Sequence, residues 1–256
     1  LTGQPNAMGG REVGGMANLM SAHRDLANPQ HRAEVASLWG VADLPAKAGL
    51  TAVEMFEAAA DGQIKALWIA CTNPAQSMPD QKTVRRALQR AEFVVVQEAF
   101  ATAATCDYAD LLLPATTWGE KEGTVTNSER RITRVRAAVV APGEARADWV
   151  IAADLGKRLA KVLGRPQDAH LLDYPTPEAV WNEHRESTRG RDLDITGLSY
   201  NRLESQGPAQ WQLPEAAKTG LEPLYAGGHF PTSDVRARFA AVAWQPVHEE
   251  RVSQFP

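Results

Sequence analysis

Apolar and polar positions along the chain follow two periods, and the switches between them mark out the elements. Residues 64–71 (IKALWIAC) form an apolar run of strand length, followed by the turn-like Thr72-Asn73-Pro74. Residues 80–91 then place Val84, Ala87, Leu88 and Ala91 on one helical face. Residues 93–96 (FVVV) are uniformly apolar and β-branched after Phe93, which predicts a strand buried on both sides. Strand, helix and strand within about 30 residues predict a right-handed parallel βαβ crossover. Leu111–Leu113, stopped by Pro114, is a third strand candidate.

Around this unit the helical period returns. A helix is predicted over 31–39 after the start signal Asn28-Pro29. Thr51 caps another through Ala60, with Glu54 at the capping-box position and Asp61-Gly62 closing it. Residues 147–163 read as a strong helix, with Ile151, Leu155, Leu159 and Val162 on one face and Asp148 as N-cap. Residues 124–140 are basic and β-rich, as in a half-exposed hairpin or an extended crossing, and 175–186 and 199–205 are further helix candidates. Residues 1–28 lack either period and read as an extended functional loop, and 207–256 are rich in Pro, Gly and polar residues.

Composition changes this picture little. With 44% hydrophobic and 23% charged residues the chain is ordinary for a globular protein, and its 256 residues can bury a sizeable core. A net charge of -4 argues against general electrostatic attraction to nucleic acid. No apolar run reaches the length of a membrane span, so no membrane partner is expected. Cys71 and Cys106 fit no disulfide framework or metal-ligand spacing, and the scattered histidines form no HxxxH pattern, so no metal site is expected within the chain. Leu1 rather than Met opens the sequence, which fits a piece of a longer protein.

Polar groups at the ends of adjacent strands are where α/β proteins hold nucleotide-like ligands. Asn73 follows the first strand, with a side chain suited to a purine edge or to a plain Asx turn. Gln97 and Glu98 close the second, placing an amide for a base and a carboxylate for a ribose diol, although no GxGxxG loop is present. In the loop 118–131, Lys121, Arg130 and Arg131 offer positive charge for a pyrophosphate, or pair internally with Glu120, Glu122 and Glu129. Glu120 and Glu122 are not an acid/base pair on this pattern. In the Gly-rich opening, Arg11 is the fixed charge able to meet a small oxyanion, or the segment is a flexible end; composition does not choose between the two.

The stretch ADLLLPATTWGEKEGTVTNSERR resembles the molybdopterin oxidoreductase family, and LTGQPNAMGGREVGG resembles its assimilatory nitrate reductase branch. The resemblance implies an α/β fold built on a parallel βαβ core, with irregular flanking segments. It implies a molybdenum bis(molybdopterin guanine dinucleotide) cofactor touched by Gln4, Asn73, Gln97, Glu98, Lys121 and Asp148, with Arg11 on the substrate side. The implied parent protein is cytoplasmic, carries a 4Fe–4S cluster that this chain does not ligate, and reduces nitrate to nitrite. Its electrons come from ferredoxin, flavodoxin or an NADH-linked reductase. The chain lacks the family's cluster-binding motif and C-terminal barrel, so by itself it is expected to be inactive. A formate dehydrogenase-like enzyme and a non-catalytic α/β interaction module are the alternatives. The expected organisation is a loop and helix segment near the cofactor over 1–50, an α/β nucleotide-binding core over 51–114, a cofactor loop and helix over 115–165, and an irregular segment over 166–256. Exposed apolar surface and partial disorder are expected in 1–30 and 207–256.

Overall fold

The structure is a computed structural model that describes residues 4–220, 223–230 and 232–244. Residues 1–3, 221–222, 231 and 245–256, which include parts of both terminal segments expected to be disordered, lie outside the described residues. The chain divides into two compact units, Leu1–Leu221 and Glu222–Pro256. Within the second, the rings of Tyr225 and Phe230 stack with centroids 4.8 Å apart, while Phe239, Val242 and Trp244 are almost fully exposed.

The first unit opens with helix α1 (Ala7–Glu12) and a short antiparallel hairpin of β1 (Leu19–Met20) and β2 (Arg24–Asp25). This corrects the reading of residues 1–28 as an extended loop. Long-range anchors outweigh the local freedom of the glycines: the Asn6 amide oxygen accepts from the Thr126 backbone N–H at 2.9 Å, and the buried Glu12 carboxylate accepts from the Thr126 hydroxyl at 2.8 Å. Helix α2 (Pro29–Trp39) starts at Asn28, whose side chain accepts from Gln30 and His31 N–H groups. Helix α3 (Ala52–Ala60) carries the full Thr51/Glu54 capping box.

The central unit is β3 (Ala66–Ala70), the short α4 (Pro74–Ser77), α5 (Gln81–Arg90) and β4 (Phe93–Glu98), followed by β5 (Leu111–Pro114). The three strands form a parallel sheet in the order β3-β4-β5, with Leu67 beside Val94 and Val96 beside Leu112. Phe56, Ala59 and Ala60 of α3 and Val84, Ala87 and Leu88 of α5 pack over Leu67, Ile69, Val94 and Val96. One sheet face is thereby closed. The other is not: Trp68, Phe93 and Leu111 remain 43%, 46% and 42% exposed. The expectation that 93–96 is buried on both sides is therefore corrected. Its apolar character suits two covered faces, but among the described residues the helices cover one.

A second sheet follows, of β6 (Gly123–Thr126), β7 (Arg131–Val135) and β8 (Ala209–Gln210), antiparallel throughout. Between β7 and β8 lie α6 (Asp148–Val162), α7 (Pro177–Ser187) and α8 (Tyr200–Gln206). Thr176 and Ser199 cap α7 and α8. The hairpin expected over 124–140 is thus present. Residues 209–213 are more ordered than their composition predicts, because β8 pairs with β7 and Trp211 and Leu213 are buried. Ile151 of α6 is buried, but Leu159 and Val162 farther along the same face are exposed. Among the described residues no helix is long and apolar enough to cross a membrane.

The one-sided sheet has a measurable consequence. Leu88→Ala, in the closed layer, should cost about 3 kcal/mol in urea unfolding, whereas Leu111→Ser on the open face should cost about 1 kcal/mol or less. Equal losses at the two positions would show that the open face is covered in solution.

Candidate functional site

Parallel strands end at one edge, and this edge collects the polar groups. Cys71 follows β3 with φ of 57°, so the chain turns sharply before Asn73. Gln97 and Glu98 end β4. After β5, Ala115 forms an isolated parallel bridge with Arg146: Arg146 N–H donates to the Pro114 carbonyl and Thr116 N–H to the Arg146 carbonyl, both at 3.0 Å. That bridge brings the first turn of α6, and with it Asp148, against the strand ends. Lys121 arrives from a 3-10 turn (Trp118–Glu120) fixed by a capping box in which Thr117 N–H donates to Glu120 at 2.8 Å.

Asp148 is where these pieces meet. Its Oδ1 accepts from Gln97 Nε2 at 2.8 Å and from the Cys71 thiol at 3.3 Å, and its Oδ2 pairs with Lys121 Nζ at 2.8 Å. The Lys121 ammonium also lies 5.3 Å from the centre of the Trp118 ring. Burial pushes the Asp148 pKa up, but the hydrogen bonds from Lys121 and Gln97 outweigh it and hold the carboxyl below its ordinary value. A first-turn position adds the favourable end of the helix dipole. Ala147, not Asp148, is the N-cap of α6, which corrects the capping expectation: the carboxylate is taken by Lys121 and Gln97 instead of its own helix. Partial burial and the neighbouring Asp148 carboxylate push the Cys71 thiol up to about 11.

Gln97 is 2% exposed, and its Oε1 is buried with no protein partner. An amide acceptor left in this state beside an ion pair is what a ligand donor would satisfy. The other strand-end candidates are engaged locally. Asn73 accepts from Thr105 N–H at 3.1 Å and its hydroxyl at 2.7 Å and donates to Gln76 at 3.0 Å, tying the end of β3 to the segment before β5. Glu98 accepts from Ala99 and Phe100 N–H groups at 2.7 and 3.3 Å. Gln4 and Arg11 line a different cavity of about 400 Å³ with Asn6 and Ser128. The structure thus joins Gln97, Lys121 and Asp148 directly, sets Asn73 and Glu98 on the same edge with folded-back side chains, and places Gln4 and Arg11 together elsewhere. Among the described residues no three His, Cys, Asp or Glu side chains gather as a metal site requires.

Two participants had no sequence signal strong enough to single them out. Cys71 sits one residue before the recognised turn, and only the fold turns its sulfur toward a carboxylate 77 positions away. Glu12 lies among glycines, and its partners Thr126 and Trp211 are 114 and 199 residues distant.

Residues 2–158, more than half of the chain, match the family described as molybdopterin oxidoreductase. A nitrate reductase of Synechocystis sp. is 43% identical over 93% of this chain and 33% of its own length. The assimilatory nitrate reductase catalytic subunit of Bacillus subtilis is 39% identical over 96% of this chain and 34% of its own. The chain therefore spans about a third of the length of these relatives. Among solved structures, acetylene hydratase from Pelobacter acetylenicus superposes with a TM-score of 0.51 at 18% identity, over 73% of this chain and 24% of that one, a likeness of fold.

Two outcomes follow from the Asp148 cluster. A depressed carboxylate contributes stability that is complete above the ordinary pKa of about 4 and is lost as pH falls through the folded value. Urea unfolding between pH 6 and pH 2.5 should therefore show about 1 kcal/mol more acid destabilisation in the native chain than in Asp148→Asn, allowing for solvent screening of the partly exposed pair. At pH 8.5 iodoacetamide should label Cys71 about tenfold more slowly than free cysteine, and Asp148→Asn should speed labelling several-fold, followed by mass spectrometry.

Proposed function

The chain belongs to the molybdopterin oxidoreductase family, and from that premise we propose that it is part of a molybdenum-dependent nitrate reductase, forming one portion of the cradle for a molybdopterin guanine dinucleotide. The observation that carries the reading is the buried, partnerless Gln97 Oε1 beside the Asp148–Lys121 pair at the carboxyl edge of the parallel sheet. A carboxylate and an amide at this edge suit the adjacent N–H donors of a guanine, and an ammonium within reach suits a pyrophosphate. Asn73 holds the turn between β3 and the segment before β5 in place, and Glu98 offers its carboxylate to a ribose. Gln4 and Arg11 line their own cavity, Gln4 serving the cofactor and Arg11 the substrate side, where a fixed guanidinium attracts nitrate.

When bound, such a cofactor supplies the two-electron oxygen-atom transfer that turns nitrate into nitrite, consuming two protons and releasing water. This chain's residues bind and orient. Lys121 and Asp148 are poised for that because their present mutual pairing satisfies each until a ligand arrives. The parent protein carries the 4Fe–4S cluster and receives electrons from ferredoxin, flavodoxin or an NADH-linked reductase, and the isolated chain is inactive. The nitrate reductase relatives support nitrate as substrate over the formate dehydrogenase-like and non-catalytic alternatives.

The test uses the full-length parent protein. It should contain molybdenum, release a guanine nucleotide on acid treatment and reduce nitrate with reduced methyl viologen. Asp148→Ala and Lys121→Ala should each lower bound molybdenum and released nucleotide about tenfold or more, in parallel with activity. Full nucleotide content in both variants would remove these residues from the cradle, and a molybdenum-loaded parent inert toward nitrate would sink the substrate reading.

A further inference from the structure

Helix α1 presents two faces of different character. Asn6, Gly9 and Glu12 recur every three residues along one of them, and Gly9 and Glu12 are buried. On that side Thr126 of β6 holds both ends of the helix. Its N–H donates to the Asn6 amide oxygen at 2.9 Å, and its hydroxyl donates to Glu12 Oε2 at 2.8 Å. Glu12 Oε1 accepts from the indole N–H of the buried Trp211, just past β8. Gly9 lets the Asn6 side chain lie across the helix, because a Cβ there would stand 2.1 Å from the Asn6 amide oxygen. The other face, with Gly10 and Arg11, lines the cavity of about 400 Å³ together with Gln4 and Ser128.

The far end of α1 is fixed as well. The Ala22 N–H donates to the Glu12 carbonyl at 2.7 Å, tying the helix end to the β1–β2 turn. Gly14, with φ of 82°, bends the chain so tightly that a Cβ would stand 2.5 Å from the Met20 carbonyl carbon. The Gly15 N–H then donates to the Gly10 carbonyl at 2.7 Å, and both glycines line the cavity with Arg11. Among the described lining residues Arg11 carries the only formal charge, and it forms no ion pair with another described residue. Glu12, its neighbour in sequence, carries the opposite charge yet is buried and met by two neutral donors. A buried carboxylate gains more from a guanidinium than from neutral donors. Here the fold holds the two charges apart.

We propose that Glu12 is a positioning residue for Arg11: clamped between Thr126 and Trp211, it fixes α1 so that the neighbouring guanidinium stays in the cavity, unneutralised, to receive a small oxyanion. The proposal rests on the reading of Arg11 as the substrate side of a nitrate reductase, and adds how that side is built. Consecutive side chains on a helix point about 100° apart, so burying one directs the next. A helix of six residues has too little stability of its own to hold this orientation. The ties to Thr126 and Trp211, 114 and 199 positions away, supply it. Glu12 itself does not touch the substrate. Because its partners are neutral donors, an amide can replace the carboxylate: the Gln oxygen accepts from Trp211, and the Gln nitrogen donates to the Thr126 hydroxyl oxygen.

The test measures KM for nitrate in the molybdenum-loaded parent protein. Arg11→Ala and Glu12→Ala should each raise KM about tenfold, with molybdenum content retained. The double variant should have the KM of Arg11→Ala alone, because removing the guanidinium leaves Glu12 nothing to position. Glu12→Gln should bring KM back to within about twofold of the native value. Independently of turnover, nitrate should shield Arg11 from phenylglyoxal, read by mass spectrometry, in the native protein and in Glu12→Gln but not in Glu12→Ala. If Glu12→Ala fails to fold, Thr126→Val, which removes one of the two donors, takes its place. Its KM should rise about threefold, and the rise should again vanish in the Arg11→Ala background. A native KM in Glu12→Ala or Thr126→Val, increases that multiply in the double variant, or a Glu12→Gln no better than Glu12→Ala would each overturn the positioning role. A native KM in Arg11→Ala would instead refute the substrate-side reading, and the role with it.

Discussion

The carboxylate of Asp148 ties together four parts of the chain that are far apart in sequence. It accepts from Gln97 at the end of β4 and from Cys71 beyond β3, pairs with Lys121 from the loop after β5, and itself begins α6. Hydrogen bonds to an ionised group, partly withdrawn from water and set at a helix N-terminus, are stronger than neutral ones. The edge of the sheet, the loop and the helix therefore take up one arrangement, and the site inherits its geometry from it. The parallel bridge between Ala115 and Arg146 performs the complementary task on the backbone, delivering the helix to the edge where the carboxylate can act.

The same arrangement leaves an imbalance. Helices α3 and α5 close one face of the three-stranded sheet, while Trp68, Phe93 and Leu111 line a face that nothing among the described residues covers. Parallel sheets are ordinarily covered on both faces. The polar edge, by contrast, is nearly complete in its internal pairing, with the Gln97 amide oxygen and the Thr116 hydroxyl unmet among the described residues. Packing of the sheet and readiness of the site are thus separable properties: the first depends on apolar surface still open, the second on charges already paired.

Buried polar groups divide along similar lines. Glu12 is raised in pKa chiefly by burial, yet it is supported by the Thr126 hydroxyl and the Trp211 indole, and it anchors the first helix to the second sheet. His184 is only half-buried as a residue, but both of its ring nitrogens are buried with no protein donor or acceptor. A satisfied buried group fixes structure, whereas an unsatisfied one beside open volume calls for water or a ligand.

How much of this was legible in the sequence follows from the range of the forces involved. Local rules placed the Thr51–Glu54 capping box, the Asn28 cap, the βαβ unit and the β6–β7 hairpin, because periodicity, capping and turn chemistry act over a few residues. The strand-end positions of Asn73, Gln97 and Glu98 came from the same pattern, and the motifs around Lys121 and Asp148 came from family resemblance. The sequence could not say that Asn73 would spend its side chain on Thr105, that Asp148 would leave capping to Ala147, or that one sheet face would stay open. Nor could it say that residues 7–12 would become a helix pinned by Thr126. By itself the sequence determined the elements and the chemistry available at their ends. Only the tertiary structure decided which partner each polar group takes, because those pairings are set by desolvation and by contacts between residues tens to hundreds of positions apart.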